Sequence, residues 1–470
     1  MYKEETQKIR VDFEDTLCDN YLGMNAVYHG FNYMPEYKMR GYTDADRAVE
    51  YARVKEARLR IARTWFYPNY NCLDIKGPYD MHSQRMEALR KWCQDMKDMG
   101  IEVALQAGWH FIDNTYYGHE MPNDKEDPED FANWAASSFA YLIDTCGLDN
   151  IKYAILFTEP TGDGVCEKLE SWNRWDYYVH CCRILDRVFR ERGLRDRVKF
   201  VGPNNSAGGK HLEEAVRDLN DVIDIYSSHD YNYNRQYHWE NMARRMSQIV
   251  APTGKPFWMD EYGMQMDLLR DFSAFGGFMA QIVSASICAG HQTSMIWTLF
   301  DQLHNSGTPL GLPEDAEDDG SHCLNRDGFH NGVHRWGCAT FPCDDMEGAG
   351  SVYPTWYAYV LLSKALGGRI DGGIVRTCKT YHATTVYSAA SVQGDDFAVL
   401  TVTSEPWETP VIVEGLPEGK TLYRHIYAPY CRLPGYGTEG KPKPVVVKDG
   451  RIESVIPAGG FAIFSTRETL

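Results

Sequence analysis

The stretch "HSQRMEALRKWCQDMKDMGIEVALQAGWH" (82–110) carries two periods in succession. Over 82–100, Met86, Leu89, Trp92, Cys93, Met96 and Met99 recur at helical spacing, so one face of a helix is apolar and must be covered. Gly100 follows the last of these, where a left-handed residue closes a helix, and 101–110 continues as a short apolar run of strand type. Upstream, "LRIART" (59–64) is a second strand-like run. Strand, amphipathic helix and strand in this order form a βαβ unit, whose helix covers one face of a parallel sheet.

The unit repeats along the chain. "LGMNAV" (22–27) precedes a helix near 43–57, "YAILF" (153–157) one near 171–192, and "VKFVGP" (198–203) one near 208–219. "VIDIYSS" (222–228) leads to a helix near 237–249, "PFWMD" (256–260) to one near 271–288, and "TSMIWTL" (293–299) to "PTWYAYVLLSKAL" (354–366). Eight such units, with no G-x-G-x-x-G turn after the early strands, predict an α/β fold of the (β/α)8 TIM barrel type over 14–368 rather than an open doubly wound sheet. From 369 to 470 the period changes to short strands split by turns: "TTVYSAAS", "DFAVLTVTS", "PVIVEG", "KPVVVKDGRIESVI" and "GFAIFST". This part reads as a C-terminal, small antiparallel β-sandwich domain, and "KIRVDF" (8–13) is a candidate to join it.

Composition narrows the function. Formal net charge is −18 over 470 residues, with no basic stripe, which disfavours nucleic acid and anionic membranes as partners. No run of 18 apolar residues occurs. Aromatics make up 13% of the chain, and flat rings suit a ligand with apolar faces and polar edges, such as a sugar. The 13 cysteines are odd in number and form no C-x-x-C pair, so neither a zinc ribbon nor a disulfide framework is expected. Reduced thiols and an N-terminus without an apolar leader place the protein in the cytoplasm, with secretion after removal of a leader as the alternative.

In a (β/α)8 barrel the C-terminal strand ends share one face, and catalytic groups come from there. Two carboxylates end strands here. Glu159, in "KYAILFTEPTGDG" (152–164), ends the fourth, and Glu261, in "FWMDEYG", ends the seventh. These strands lie nearly across the barrel, so their side chains converge, and a facing pair of carboxylates is what glycoside hydrolysis requires. Pro160 stiffens the turn that holds Glu159 at a set distance from its partner.

Glu-Pro at the fourth strand end and Glu-Tyr-Gly at the seventh resemble glycoside hydrolase clan A, the retaining (β/α)8 glycosidases, over residues 20–366. "ARTW" (62–65) resembles the strand-two motif of family 5 mannanase-like members, which implies that Arg63 touches the nucleophile. "SSHDYNY" (227–233) resembles the strand-six region, with Tyr231 bonding the nucleophile and His229 lining the site. Trp297 falls where the clan places a tryptophan beneath the sugar, and Trp109 and His110 end the third strand. The resemblance implies Glu159 as acid/base and Glu261 as nucleophile on an oligosaccharide or glycoside substrate, with no cofactor. Where the clan has asparagine before the acid/base, this chain has Thr158, which leaves the sugar open.

Other readings of the same residues are weaker. Glu159 as a helix-dipole charge does not account for the second strand-end glutamate. Asp260 is expected to point away from Glu261 because strand neighbours alternate, and Arg60 and Arg63 differ by an odd number, so one of them faces the axis. Trp65 fits core and site equally. His330 and His334 have helical ligand spacing, but glycine interrupts it, and "VYHGF" (27–31) lacks the paired His-x-His of barrel metallohydrolases, so no metal is expected. "EDAEDDG" (314–320) lacks the spaced ligands of a calcium loop. The long segments 110–130 and 300–350 are expected to wall the cleft, which favours exo action over an endo-acting β-glycanase. A catalytically inactive carbohydrate-binding barrel is the competing class.

Overall fold

The computed structural model describes residues 5–30, 32–34, 37, 41–66, 71, 79–107, 128–159, 174–205, 209, 211–231, 238–263, 272–303, 333–334, 337–340, 352–367, 373–383, 385–403, 405–429 and 441–470. The chain opens with strand β1 (Gln7–Tyr21) and then alternates. β2 (Met24–Val27) is followed by α1 (Asp44–Ala57), β3 (Ile61–Phe66) by α2 (Gln84–Asp98), β4 (Glu102–Ala107) by α3 (Pro128–Ala140), and β5 (Ile151–Leu156) by α4 (Arg174–Glu191). β6 (Lys199–Asn205), α5 (Leu212–Asp218), β7 (Ile225–Asp230), α6 (His238–Val250), β8 (Phe257–Tyr262), α7 (Phe272–Cys288) and β9 (Thr293–Ile296) complete the series. Strands β2 to β9 close in sequence order into one parallel barrel. After β9 come a two-stranded piece, β10 (Gln302–Leu303) with β11 (Val333–His334), and helix α8 (Pro354–Leu366). Among the described residues no helix is long and apolar enough to cross a membrane.

The barrel is filled rather than hollow. Leu22, Ile61, Ala104, Ile155, Val201, Ile225, Trp258 and Met295, all on or beside the eight strands, pack into one buried cluster along its axis. The outer faces of the same strands meet the apolar stripes of the helices, and Met86, Leu89, Trp92, Cys93 and Met96 of α2 are all buried there. Apolar side chains fill the lower barrel apart from a few paired polar groups such as Asn25, which donates to Thr293 Oγ1, and the charged groups gather at the end where the strands finish.

The second body is one continuous nine-stranded sheet. Its strands are β12 (Val375–Tyr381), β13 (Val386–Gln393), β14 (Asp396–Thr403), β15 (Thr409–Glu414), β16 (Thr421–Tyr427), β17 (Lys443–Val446), β18 (Arg451–Ile456) and β19 (Phe461–Ser465), in the order β17-β16-β19-β14-β13-β12-β1-β15-β18. The sheet folds over a core that includes Ile9, Val11, Val399, Val413, Ile452 and Phe464. The N-terminal segment reaches further into it than the six residues expected: all of β1 belongs, antiparallel to β12 and, through Gln7–Arg10, parallel to β15.

Five elements were not anticipated. α3 begins within the segment expected to be loop, the short pair β10 and β11 falls in 300–350, and β12 and β16 add strands to the sandwich. Helix α7 lies between the two bodies, and its Gly276-Gly277 pair is a point of close approach: a methyl at 277 would run into the Gly459 carbonyl and one at 276 into the Tyr427 ring, while at its far end Cys288 Sγ donates to the Ser388 carbonyl of β13. Glycine inside a helix costs roughly 0.5–1 kcal/mol relative to alanine, and here it allows the helix backbone to approach the sheet.

Candidate active site

Polar residues inside the upper barrel gather around Glu261 and Glu159. Glu261 lies near the end of β8, and Arg63, the third residue of β3, reaches it across the barrel, with Nη2 2.8 Å from Glu261 Oε1. Arg63 is itself held in place: Nη1 donates to the Asp260 carbonyl at 2.7 Å and Nη2 to Gln106 Oε1 at 2.8 Å, while Gln106 Nε2 donates to the Leu156 carbonyl at 3.3 Å. The other carboxylate oxygen, Oε2, accepts a 2.6 Å hydrogen bond from the Tyr231 hydroxyl. Gly263 permits this closure, since a methyl there would stand 2.7 Å from the Trp297 carbonyl and 3.2 Å from the Tyr231 ring.

Glu159 follows β5 with a positive φ of 44°, a left-handed conformation that a glutamate adopts at a cost of order 1–2 kcal/mol. What holds it is the Glu159 N–H, which donates to the Asn204 carbonyl at 2.9 Å at the end of β6. Its neighbour Thr158 is buried, and the Thr158 hydroxyl has no hydrogen-bond partner among the described residues.

His229, at the end of β7, joins the two glutamates. Its Nδ1 lies 2.9 Å from Glu159 Oε1 and 3.1 Å from Glu261 Oε2, and the ring is fully buried. One ligand-type atom from each of Glu159, His229 and Glu261 lies within 4.8 Å of the others. Burial opposes a charge on the imidazole, but the carboxylates of Glu261, Glu159 and Asp260 outweigh it and push its pKa up. Burial pushes the Glu261 carboxyl up, and His229 and Arg63 pull it back, together with the Tyr231 hydrogen bond.

Alternation along β8 fails where it was expected to separate Asp260 from the site. The pairing of β8 slips between Met259 and Tyr262 against β9, and that of β7 slips between Ser228 and His229 against β8, so Cα of His229 pairs with Glu261. Asp260 consequently turns its buried carboxylate inward, accepting a hydrogen bond from Asn204 Nδ2 and standing 3.8 Å from His229 Nε2.

Aromatic rings line the adjoining part of the site. Trp65 stacks on His29 at 6.3 Å and meets Trp297 edge-on at 5.8 Å, and Arg63 lies 5.5 Å over Trp65. Trp65 is buried and Trp297 half-buried. The structure thus brings together Arg63, Thr158, Glu159, His229, Tyr231, Glu261 and Trp297; Trp109 and His110 lie outside the described residues, as do His330, the 314–320 run and most of 110–130 and 300–350. Gln106, Asn204, Asp260 and His29 had not been assigned to the site. For Gln106 and Asn204 the available signal was a polar residue within or ending an otherwise apolar barrel strand, "EVALQA" and "KFVGPNN".

By sequence the chain matches no protein-family model and no curated protein. By structure it is similar to a GH30 endoxylanase from Clostridium papyrosolvens C71, with a TM-score of 0.63 and 12% identity, over 97% of this chain and 99% of that one. It is similar to a monomeric β-xylosidase from Caulobacter crescentus CB15, with a TM-score of 0.60 and 13% identity over 98% and 99% of the two chains. An α-L-arabinofuranosidase from Thermotoga maritima gives 0.62 at 12% identity, over 98% and 99%. The near-complete coverage in both directions extends to the barrel and the β-sheet body together, and the fold shared with these proteins is a (β/α)8 barrel carrying a β-sandwich.

Proposed function

We propose that this protein is a retaining glycoside hydrolase that cleaves β-glycosidic bonds by double displacement. The observation that carries this reading is that one carboxylate oxygen of Glu159 and one of Glu261 lie within 4.8 Å of each other at the mouth of the barrel, too close for a water to be seated between the two groups. A pair of carboxyl groups at about 5–5.5 Å suits a covalent intermediate, whereas inverting enzymes need about 6.5–9.5 Å to admit a water.

Glu159, protonated, gives its proton to the glycosidic oxygen while Glu261 attacks the anomeric carbon, so that the leaving group departs as an alcohol and the sugar becomes an ester of Glu261. Glu159, now a carboxylate, takes a proton from water as that water attacks the same carbon, and the Glu261 carboxylate is released. Arg63 and Tyr231 keep Glu261 ionised and aimed before the first step and receive it again as a carboxylate after the second. Trp297 and Trp65 offer apolar faces beside the reacting centre. Exo action is the preferred form of the reading, from the length of 110–130 and 300–350, with endo action as its alternative.

A metal-dependent hydrolysis has one observation in its favour, the three-ligand cluster of Glu159, His229 and Glu261. Tyr231 donates to Oε2 of Glu261 and the Arg63 guanidinium stands 2.8 Å from Oε1, a positive charge that a cation at the same oxygen would have to face. The test is hydrolysis of aryl β-glycosides (glucoside, galactoside, mannoside, xyloside and N-acetylglucosaminide) in chelator by the parent, Glu261→Ala and Glu159→Ala. Turnover that survives chelation and collapses in Glu261→Ala is expected; loss on chelation would select the metal reading. If the aryl panel is silent, oligosaccharide digestion with sizing of the products separates an endo enzyme from a binding barrel.

A further inference from the structure

His229 stands within hydrogen-bond distance of both glutamates, and its far nitrogen has a partner of its own. Nε2 stands 2.9 Å from Asn204 Nδ2, and the same amide nitrogen donates to the Asp260 carboxylate. All three side chains are fully buried. Asn204 Nδ2 donates to Asp260 Oδ2, and reversing the amide would set Asn204 Oδ1 against that oxygen, so Asp260 fixes the amide with its NH2 group inward. That group has two hydrogens. One goes to Asp260, and the other points at His229 Nε2, which must then accept and cannot carry a proton of its own.

We propose that Asn204 and Asp260 are positioning residues that hold His229 as the neutral Nδ1–H tautomer, so that a single ring N–H is shared between Glu159 and Glu261. The proposal deepens the retaining reading and rests on it for its consequence, though the tautomer itself does not.

The consequence follows from where charge goes in double displacement. Negative charge sits on Glu261 before the first step, on Glu159 after it, and on Glu261 again after the second. An N–H 3.1 Å from one carboxylate and 2.9 Å from the other can strengthen its bond to whichever is charged, without transferring its proton. An imidazolium in the same place would hold Glu159 ionised and impair it as an acid. The charges facing the ring, Glu159, Glu261 and Asp260, with Arg63 beyond Glu261, favour that second proton, and the Asn204 donor is what keeps it off Nε2. The same residue also anchors the left-handed Glu159 backbone through its carbonyl, so both ends of Asn204 act on the acid/base.

The test reads the ring directly. Full-length protein labelled with ¹⁵N-histidine, with the His229 signals assigned by their loss in His229→Gln, is expected to show an unprotonated Nε2 from roughly pH 5 to 8. In Asn204→Asp, which replaces the donor by an acceptor, Nε2 becomes protonated, and the alkaline limb of the kcat/KM profile moves down by about one pH unit or more. Asp260→Asn releases the amide and is expected to protonate Nε2 as well, which covers the case in which Asn204→Asp fails to fold. A protonated Nε2 in the parent, or an unprotonated one in both variants, overturns the proposal. Absence of turnover on every glycoside with Nε2 unprotonated in the parent would remove the retaining reading and leave the tautomer standing.

Discussion

Arg63 of β3 and Glu261 of β8 form an ion pair at 2.8 Å in which both side chains are almost entirely removed from solvent, 1% and 6% exposed. Breaking one half of such a pair leaves an uncompensated buried charge, at a cost of about 3–5 kcal/mol. Arg63→Met is therefore expected to lower the denaturant midpoint by that measure, and Arg63→Met with Glu261→Gln to recover most of it. If the double variant is no more stable than the single one, Arg63 stabilises by packing against Trp65 and Gln106 rather than through the charge.

Tyr231→Phe removes one hydrogen bond to the charged form of Glu261 and little volume. The Glu261 carboxyl, which burial already pushes up, loses a group that pulls it down, so its pKa rises further. The nucleophile must be ionised, so the acidic limb of the kcat/KM profile is expected to move to higher pH, with kcat/KM at its optimum falling by roughly ten- to a hundredfold. An unmoved acidic limb would assign that limb to another group.

The legible and illegible parts of this site separate along a physical line. Glu159 and Glu261 could be read from single strands, because a parallel barrel gathers strand ends whatever its register, and position along one strand suffices; for Arg63, in mid-strand, alternation said only that it or Arg60 faces the axis, and the resemblance of "ARTW" chose between them. Asp260 and Asn204 could not. Asp260 faces inward only because the pairing of β8 slips, and slippage is a property of two strands together. Asn204 matters through a left-handed backbone, φ 55°, that no local pattern specifies. In α3 the apolar face is blurred by small residues, "FANWAASSFA", and in β16 "TLYRHIY" charge interrupts the alternation. Both elements are stabilised by what packs on them rather than by their own periodicity.

Glu50 of α1 lies away from the glutamate pair, buried to 4% exposure and receiving a hydrogen bond from the Tyr42 hydroxyl. Burial pushes its carboxyl up to about 7 against an ordinary value of 4.5. Below the ordinary value both folded and unfolded chains hold the proton; between the two values only the folded chain does, so stability is lost as pH rises toward 7. The loss amounts to about 3 kcal/mol from this one group, at 1.36 kcal/mol per unit. Glu50→Gln keeps the shape and cannot titrate. Denaturant unfolding at pH 4.5 and pH 8 is expected to show a smaller decline in Glu50→Gln than in the parent; an equal decline would mean that Tyr42 and the nearby arginines already hold Glu50 ionised.

Gly277→Ala tests how the β-sheet body is seated on the barrel. Alanine is the better helix former by about 1 kcal/mol, so an exposed glycine in α7 would be improved by the change. Position 277 is not exposed: its added methyl meets the Gly459 carbonyl, which sits in backbone and cannot rotate away. Relief requires α7 or the turn before β19 to move, and overpacking of this kind costs about 1–3 kcal/mol. The contact wins over propensity, and the variant is expected to unfold at lower denaturant than the parent. Gly276→Ala meets the Tyr427 ring and the Ala358 Cβ, and since a Cβ cannot rotate away and the ring is buried against Phe461, it is expected to be destabilising as well. If Gly277→Ala is instead the more stable protein, helix propensity has outweighed the contact, and the seating of α7 on the sheet is looser than the close approach of Gly277 to Gly459 implies.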